Sequence, residues 1–239
     1  MTRQPAVLCL PFAGAGSSAF ASWRPVFGDG SDLIILELPG HDRRFEEPLC
    51  QDVEGAVRSV MPQALQAGRD RGSISIFGHS MGAVLAFELA RLLIDEAHVT
   101  VARLVVSGSP GPFHPRATQA SGLTDDDFLG QIRRFAGYDH PALKDPELRQ
   151  LLLPILRADV AMHERYQAAS EAPIAVPITC IRGAADLLVS RREALTWAPA
   201  TSLDFQYVEH SGGHMWLMEA GPEFAATLKG ICVDGSLEC

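Results

Sequence analysis

Three residues in this chain have the chemistry and order to open a carbonyl. Ser80 stands at the centre of Gly78-His79-Ser80-Met81-Gly82, Asp186 closes Gly183-Ala184-Ala185-Asp186, and His214 follows Gly212-Gly213. A serine hydroxyl is a weak nucleophile at neutral pH. It needs a base for its proton, an acid to orient that base, and two backbone N–H donors for the oxyanion that forms. The G-x-S-x-G run supplies the first requirement, because glycines two before and two after the serine leave space for a sharp turn. Ile74, Ile76 and Phe77 precede it as a strand, and Ala83-Val84-Leu85-Ala86-Phe87-Glu88-Leu89-Ala90-Arg91 follows as a buried helix. Strand, turn and helix would lift Ser80 above the carboxyl end of a sheet. An ordinary strand-to-helix turn would share the pattern, but would make no demand on the rest of the chain.

The rest of the chain meets the demand. Ala6–Leu10 is an apolar run ended by Pro11, as expected of a strand buried on both faces of a parallel sheet. Phe12-Ala13-Gly14-Ala15-Gly16-Ser17-Ser18 follows, with Ser17 or Ser18 placed to cap a helix through Phe20, Trp23 and Val26. Its glycines lack the third member of a dinucleotide fingerprint, since position 19 is Ala, which argues against a nucleotide loop. Leu33–Leu38 reads as the second strand, stopped by Pro39-Gly40. His41–Pro48 is highly charged and reads as a solvated loop, with phosphate contact by Arg43 and Arg44 the less favoured alternative. Asp52–Ala67 has helical spacing despite Pro62, and Arg103–Ser109 is a further strand.

The alternation then lapses. Helices starting at Thr124 and Asp145, and a third through Val160, Met162 and Tyr166, have apolar sides but no strands between them. They suggest a helical lid inserted over residues 112–172 of one 1–239 unit. Pro177–Gly183 resumes the sheet with Asp186 just past its end, and Leu203–Val208 runs out through Glu209 toward His214. The order Ser80, Asp186, His214 is that of the α/β-hydrolase fold, a mostly parallel central sheet with helices on both faces. In that arrangement the amide of Met81 gives one oxyanion donor and the first loop the other, from Ala13 or, failing that, Phe12. His210, His79 and His163 compete for the base: His210 precedes the glycines, and His79 turns away from its neighbour.

Hydrophobic residues make up 47% of the chain and charged residues 21%, enough for one core. A net charge of −9 excludes a general nucleic-acid binder, which needs a basic face. Five cysteines, scattered and without a C-x-x-C pair, suggest neither a disulfide framework nor a metal site and fit a reduced cytoplasm. No apolar stretch approaches the length of a membrane span.

With these residues in view, the chain resembles the type II, or editing, thioesterases of polyketide and nonribosomal peptide assembly lines. The resemblance rests on Leu10-Pro11-Phe12-Ala13-Gly14, Gly78–Ala83, Gly183–Asp186 and Gly212–His214, and most specifically on Leu153-Pro154-Ile155-Leu156-Arg157-Ala158-Asp159. The first loop reads Ala-Gly-Ala-Gly where Ala-Gly-Gly is usual, and Met215 separates His214 from the aromatic Trp216. The resemblance implies hydrolysis that clears stalled acyl groups from the phosphopantetheine arm of acyl or peptidyl carrier proteins, and the expectation for the chain is a cytoplasmic monomer without cofactor. With an acidic enzyme and acidic carriers, docking would need a local basic spot, Arg191 and Arg192 or Arg133 and Arg134. A carboxylesterase or acyltransferase would use the same triad, and a catalytically silent binding module is the alternative from another class.

Overall fold

The computed structural model describes residues 5–28, 33–95, 99–116, 120–137 and 141–234, so both ends of the expected 1–239 unit and two short stretches of the expected insertion lie outside the described residues. Six strands form one sheet: β1 (Ala6–Leu10), β2 (Leu33–Ile35), β3 (Ser73–His79), β4 (Thr100–Ser107), β5 (Ile178–Gly183) and β6 (Phe205–His210). Their order is β2-β1-β3-β4-β5-β6, and every pairing is parallel. All carboxyl ends therefore open on one edge. The register puts Leu10 beside Gly78, His79 beside Ser107 and Gly183 beside His210, which draws the loops after β1, β3, β5 and β6 together.

Side chains alternate between two apolar layers, as period-2 strands in a covered sheet must. Leu8, Ile76, Leu104 and Val106 face the layer packed by α1 (Val53–Arg71) and α2 (Met81–Asp95). Cys9, Phe77, Val105 and Ile181 face the other, filled by Phe20, Trp23 and α6 (Trp216–Asp234). There the rings of Trp23, Phe77 and Phe224 meet at centroid distances of 5.3 to 5.5 Å and hold the segment Ser17–Phe27 and α6 on the sheet. Asp52 caps α1 by accepting from Gly55 N, and Gly72 ends it at φ 79.

Between β4 and β5 lie α3 (Asp125–Ala136), a short turn at Pro141–Lys144 and α4 (Pro146–Glu164). Two helices thus replace the three expected from sequence. The stretches starting at Asp145 and running through Val160 are one helix, because Pro154 removes a single backbone donor without ending it. The segment Ser17–Phe27 is a 3-10 helix containing Pro25, and neither Ser17 nor Ser18 caps it. Instead the Ser17 amide donates to the Asp42 carboxylate. β2 stops at Ile35 rather than Leu38, although Leu36 still donates to the Cys9 carbonyl at 2.9 Å. β6 lies two residues later than its apolar run suggested. No helix among the described residues is long and apolar enough to cross a membrane.

Candidate active site

Ser80 occupies the turn between β3 and α2 with φ 54, a left-handed conformation that costs a non-glycine residue about 1–2 kcal/mol. The surroundings impose it. Ser80 N donates to the Ser107 carbonyl at 2.8 Å, and Ala83 N returns to the Ser80 carbonyl at 3.0 Å. A Cβ on Gly78 would sit 2.0 Å from the Gly82 carbonyl oxygen, and one on Gly82 would sit 2.4 Å from that of Leu10. Strand, turn and helix can be this close only with glycine at both places. The turn leaves the first amides of α2, that of Met81 included, at the positive end of the helix dipole.

Asp186 and His214 meet 28 residues apart in sequence, with His214 Nδ1 at 2.9 Å from Asp186 Oδ2. The other carboxylate oxygen accepts from Leu188 N at 2.8 Å and Val189 N at 3.0 Å. Burial by itself would raise the Asp186 pKa, but the hydrogen bond and charge of His214 and these two amides together hold it below the ordinary value. The loop carrying Asp186 is braced by Arg182, which donates to the carbonyls of Val189 (2.6 Å), Asp186 (2.9 Å) and Ala184 (3.2 Å). Nothing in the sequence marked Arg182. Gly183 lets the histidine turn close over β5, since a Cβ there would meet the Gly213 carbonyl oxygen at 2.2 Å. Met215 lines the cavity described below, while the Trp216 indole stacks on His210 at 4.3 Å beneath the turn. The displaced aromatic thus supports the histidine turn from below.

The competing histidines are otherwise engaged. His210 is taken up by that stacking. His79 is fully buried, with Nδ1 at 3.1 Å from Ser107 Oγ and its ring 4.9 Å from that of His214, and burial followed by the neighbouring histidines pushes its pKa well down. His163, on α4, lies 3.5 Å from Ser109 Oγ, and burial together with the charge of Arg116 lowers its pKa to about 3. Neither has a carboxylate partner among the described residues.

Ser80 and His214 line one cavity of about 200 Å³, with Phe12 and Ala13 from the first loop and Ile132, Phe135, Leu156, Val160 and His163 from α3 and α4. The stretch Leu153–Asp159 packs α4 on α3 and reaches the first loop from one broad face of the helix. Leu153 packs on Phe128 and Leu129 of α3, where Arg157 also donates to the Ser121 and Leu123 carbonyls and to Asp125. Leu156, Asp159, Val160 and His163 follow at helical spacing on the adjoining part of that face, where Leu156 and Val160 pack against the same cluster. Leu156 would touch a Cβ on Gly14 at 3.0 Å, and Gly14 itself has φ 72. Asp159 Oδ2 accepts from Gly14 N at 2.8 Å and lies 2.9 Å from His41 Nε2.

His41 faces a second acceptor as well, with Nδ1 at 3.1 Å from the Pro39 carbonyl. Both ring nitrogens thus face oxygen acceptors, an arrangement that favours the protonated ring beside the buried carboxylate. Desolvation opposes that charge, but the Asp159 bond and charge prevail and raise the His41 pKa. The pin fixes the first loop by its Gly14 amide, while the Ala15 amide donates to the Phe12 carbonyl at 3.0 Å. Of the loop's early donors this leaves the N–H groups of Phe12 and Ala13 without a partner among the described residues. Sequence reasoning missed His41 and Asp159 as a pair. The departure at Ala15-Gly16 has a local cause, because a Cβ on residue 16 would collide with the Asp42 side chain at 2.2 Å.

The basic residues separate into two kinds. Arg43 makes three hydrogen bonds of 2.9 to 3.1 Å to Glu37, and Arg44 binds the Glu47 carboxylate, so each has an acid of its own. Arg133 and Arg134 are exposed on α3 between the cavity residues Ile132 and Phe135. Arg191 and Arg192 are exposed on α5 (Arg191–Ala194), beside the cavity residues Val189 and Glu193. Each pair adjoins cavity residues along the chain, and none of the four lines the cavity itself.

Comparison with known proteins follows the same lines. The family model described as a thioesterase domain matches residues 5–232. The gramicidin S biosynthesis protein GrsT of Aneurinibacillus migulanus is 33% identical over 219 residues, covering 90% of this chain and 83% of its own length. Thioesterase PikA5 of Streptomyces venezuelae is 33% identical over 211 residues, covering 88% of this chain and 75% of its own. Among solved structures, the type II thioesterase YbtT of the yersiniabactin NRPS/PKS biosynthetic pathway superposes with a TM-score of 0.84 at 26% identity, over 99% of this chain and 95% of that one.

Proposed function

The chain belongs to the thioesterase family, and we propose that it is an editing enzyme that hydrolyses acyl groups from the phosphopantetheine arm of carrier proteins in polyketide or nonribosomal peptide synthesis. The observation that carries this is a strained serine at a helix N-terminus sharing one cavity with a histidine whose far nitrogen is held by a buried carboxylate. The relatives GrsT, PikA5 and YbtT support the choice of pathway.

In this reading Ser80 Oγ attacks the thioester carbonyl while His214 Nε2 takes its proton, and Asp186 steadies the imidazolium. The carbonyl oxygen becomes an oxyanion held by the Met81 amide and by that of Ala13 or Phe12. The intermediate collapses, the carbon–sulfur bond breaks, and the arm leaves as a thiolate that takes up a proton from His214. Water then enters, loses its proton to His214 and attacks the acyl-serine. The products are a free acid and a carrier thiol, with Ser80 restored. Only side chains, amides and water take part. Helices α3 and α4 act as the lid, and the exposed Arg191–Arg192 or Arg133–Arg134 pair receives the acidic carrier.

The test is acyl release from acyl-phosphopantetheinyl carrier protein by native protein and Ser80→Ala, with a simple aryl ester alongside. Release favouring the carrier thioester and lost in Ser80→Ala supports the reading. Brisk ester cleavage with the carrier thioester untouched would keep the nucleophile and discard the substrate. Charge reversal of each arginine pair should raise KM for carrier-bound substrate only, and an equal effect on a small free thioester would reject that pair as a docking site.

A further inference from the structure

The mechanism gives no part to His79, although its ring lies 4.9 Å, centre to centre, from that of His214. It is the last residue of β3, next in the chain to the nucleophile, and none of it reaches solvent. Its neighbours fix the ring. Nδ1 is 3.1 Å from the Oγ of Ser107, the residue paired with it in the sheet, and the Phe12 ring meets it edge-on at 6.0 Å. On a further side runs the backbone of Gly108 at φ 60, so close that a Cβ there would stand 2.4 Å from His79 Cε1. A buried ring clamped in this way cannot leave its rotamer without displacing the backbone that follows β4.

His214 needs such a neighbour. It follows Gly212, at φ 109, and Gly213, which leave the backbone before it little stiffness of its own. Its hydrogen bond to Asp186 fixes one ring atom, Nδ1, and a ring held at one atom can still pivot about it. Proton transfer requires the opposite nitrogen to face Ser80 Oγ, and such constellations must be held to within about 0.5 Å. The His79 ring supplies the second point of contact.

We propose that His79 is a positioning residue for the general base: its clamped ring is the surface against which the His214 imidazole is set. The end of β3 would then place the nucleophile directly and the base through one side chain. This rests on the triad reading of Ser80, Asp186 and His214, and is independent of which acyl carrier is the substrate. Histidine suits the place on two counts. A flat five-membered ring fits the narrow space beside Gly108. Burial, followed by the nearby His214 and His163, pushes its pKa well down, so it stays neutral while His214 becomes charged at each proton transfer.

The experiment measures kcat, KM and Tm for native protein, His79→Asn, Ser107→Ala and the double variant, on acyl-phosphopantetheinyl carrier protein and on an aryl ester, well below every Tm. Asn keeps a polar atom near the place of Nδ1 and removes the outer edge of the ring. A misplacement of about 1 Å costs about 10² in rate, so His79→Asn should lower kcat by about 10- to 100-fold on both substrates. KM should change little, since His79 is not among the residues lining the cavity. Ser107→Ala leaves in place the carbonyl that holds Ser80 N, and should lower kcat less. The double variant should lose no more than His79→Asn alone, because Ser107 Oγ acts through His79. Native kcat in folded His79→Asn, a KM that rises in step with the fall in kcat, or losses that multiply in the double variant overturns the inference and leaves His79 a packing residue. If His79→Asn does not fold, Ser107→Ala decides, and a native kcat there has the same meaning. The expected losses on the ester, with the carrier thioester untouched by native protein, would keep the positioning role and remove the carrier reading. Carrier hydrolysis indifferent to His79→Asn would do the reverse.

Discussion

Asp159 touches no reacting atom, yet its replacement should be felt at the nucleophile. The carboxylate is 3% exposed, holds the Gly14 amide at 2.8 Å and neutralises His41 at 2.9 Å. Asp159→Ala leaves an imidazolium and an amide buried without partners. Breaking such a pair costs about 3–5 kcal/mol. For a chain of this size each kcal/mol lowers Tm by about 2–4 °C, so the fall should be about 6–20 °C. Asp159→Asn keeps an acceptor for Gly14 but loses the charge, and should cost about 1.5–3 kcal/mol.

The catalytic consequence is separate. Releasing Gly14 frees the loop that offers the Phe12 or Ala13 amide, and loss of one oxyanion donor costs about 2.7–4 kcal/mol, or about 10²–10³ in kcat. Assays well below the lowered Tm should therefore show Asp159→Ala with kcat reduced on that order and KM little changed, and Asp159→Asn in between. The ion pair also fixes a pH signature. The folded pKa of His41 is raised, so its contribution is complete below the unfolded value of about 6.5 and is lost as pH rises through the folded one. The Tm gap between native protein and Asp159→Asn should be wider at pH 6 than at pH 9. A gap indifferent to pH refutes the ion pair, and a normal kcat in a destabilised Asp159→Ala refutes the link from pin to oxyanion loop.

Three further outcomes are expected. Asp186→Asn should lower kcat by about 10⁴ while the protein stays folded, because the amide can present its N–H to His214 Nδ1 and favour the wrong tautomer. Since the Asp186 pKa is depressed in the fold, its stabilisation is present above the unfolded value of about 3.9 and fades as pH falls through the folded one; acid titration of unfolding should show the native and Asp186→Asn curves converging there. Gly183→Ala drives a methyl to 2.2 Å from the Gly213 carbonyl oxygen, which the turn can relieve only by moving His214. Overpacking of this kind costs about 1–3 kcal/mol, and the activity lost below Tm should exceed that lost by Gly72→Ala, where no atom stands within 4 Å of the new Cβ.

What could be seen in the sequence was whatever depends on neighbours along the chain. Apolar runs such as Ala6–Leu10 announce doubly covered strands, and a serine between two glycines announces an elbow, because the steric reason lies within five residues. Asp186 and His214 could be nominated from their places after strands, since parallel pairing brings every such place to one edge. Long-range partners left no such trace. Asp159 and His41 are 118 residues apart, and Asp159 and Gly14 are 145 apart. The one available signal was the spacing of Leu156, Asp159, Val160 and His163, which puts an acid on an otherwise apolar helical face. An acid there has to be paired or it would not be buried.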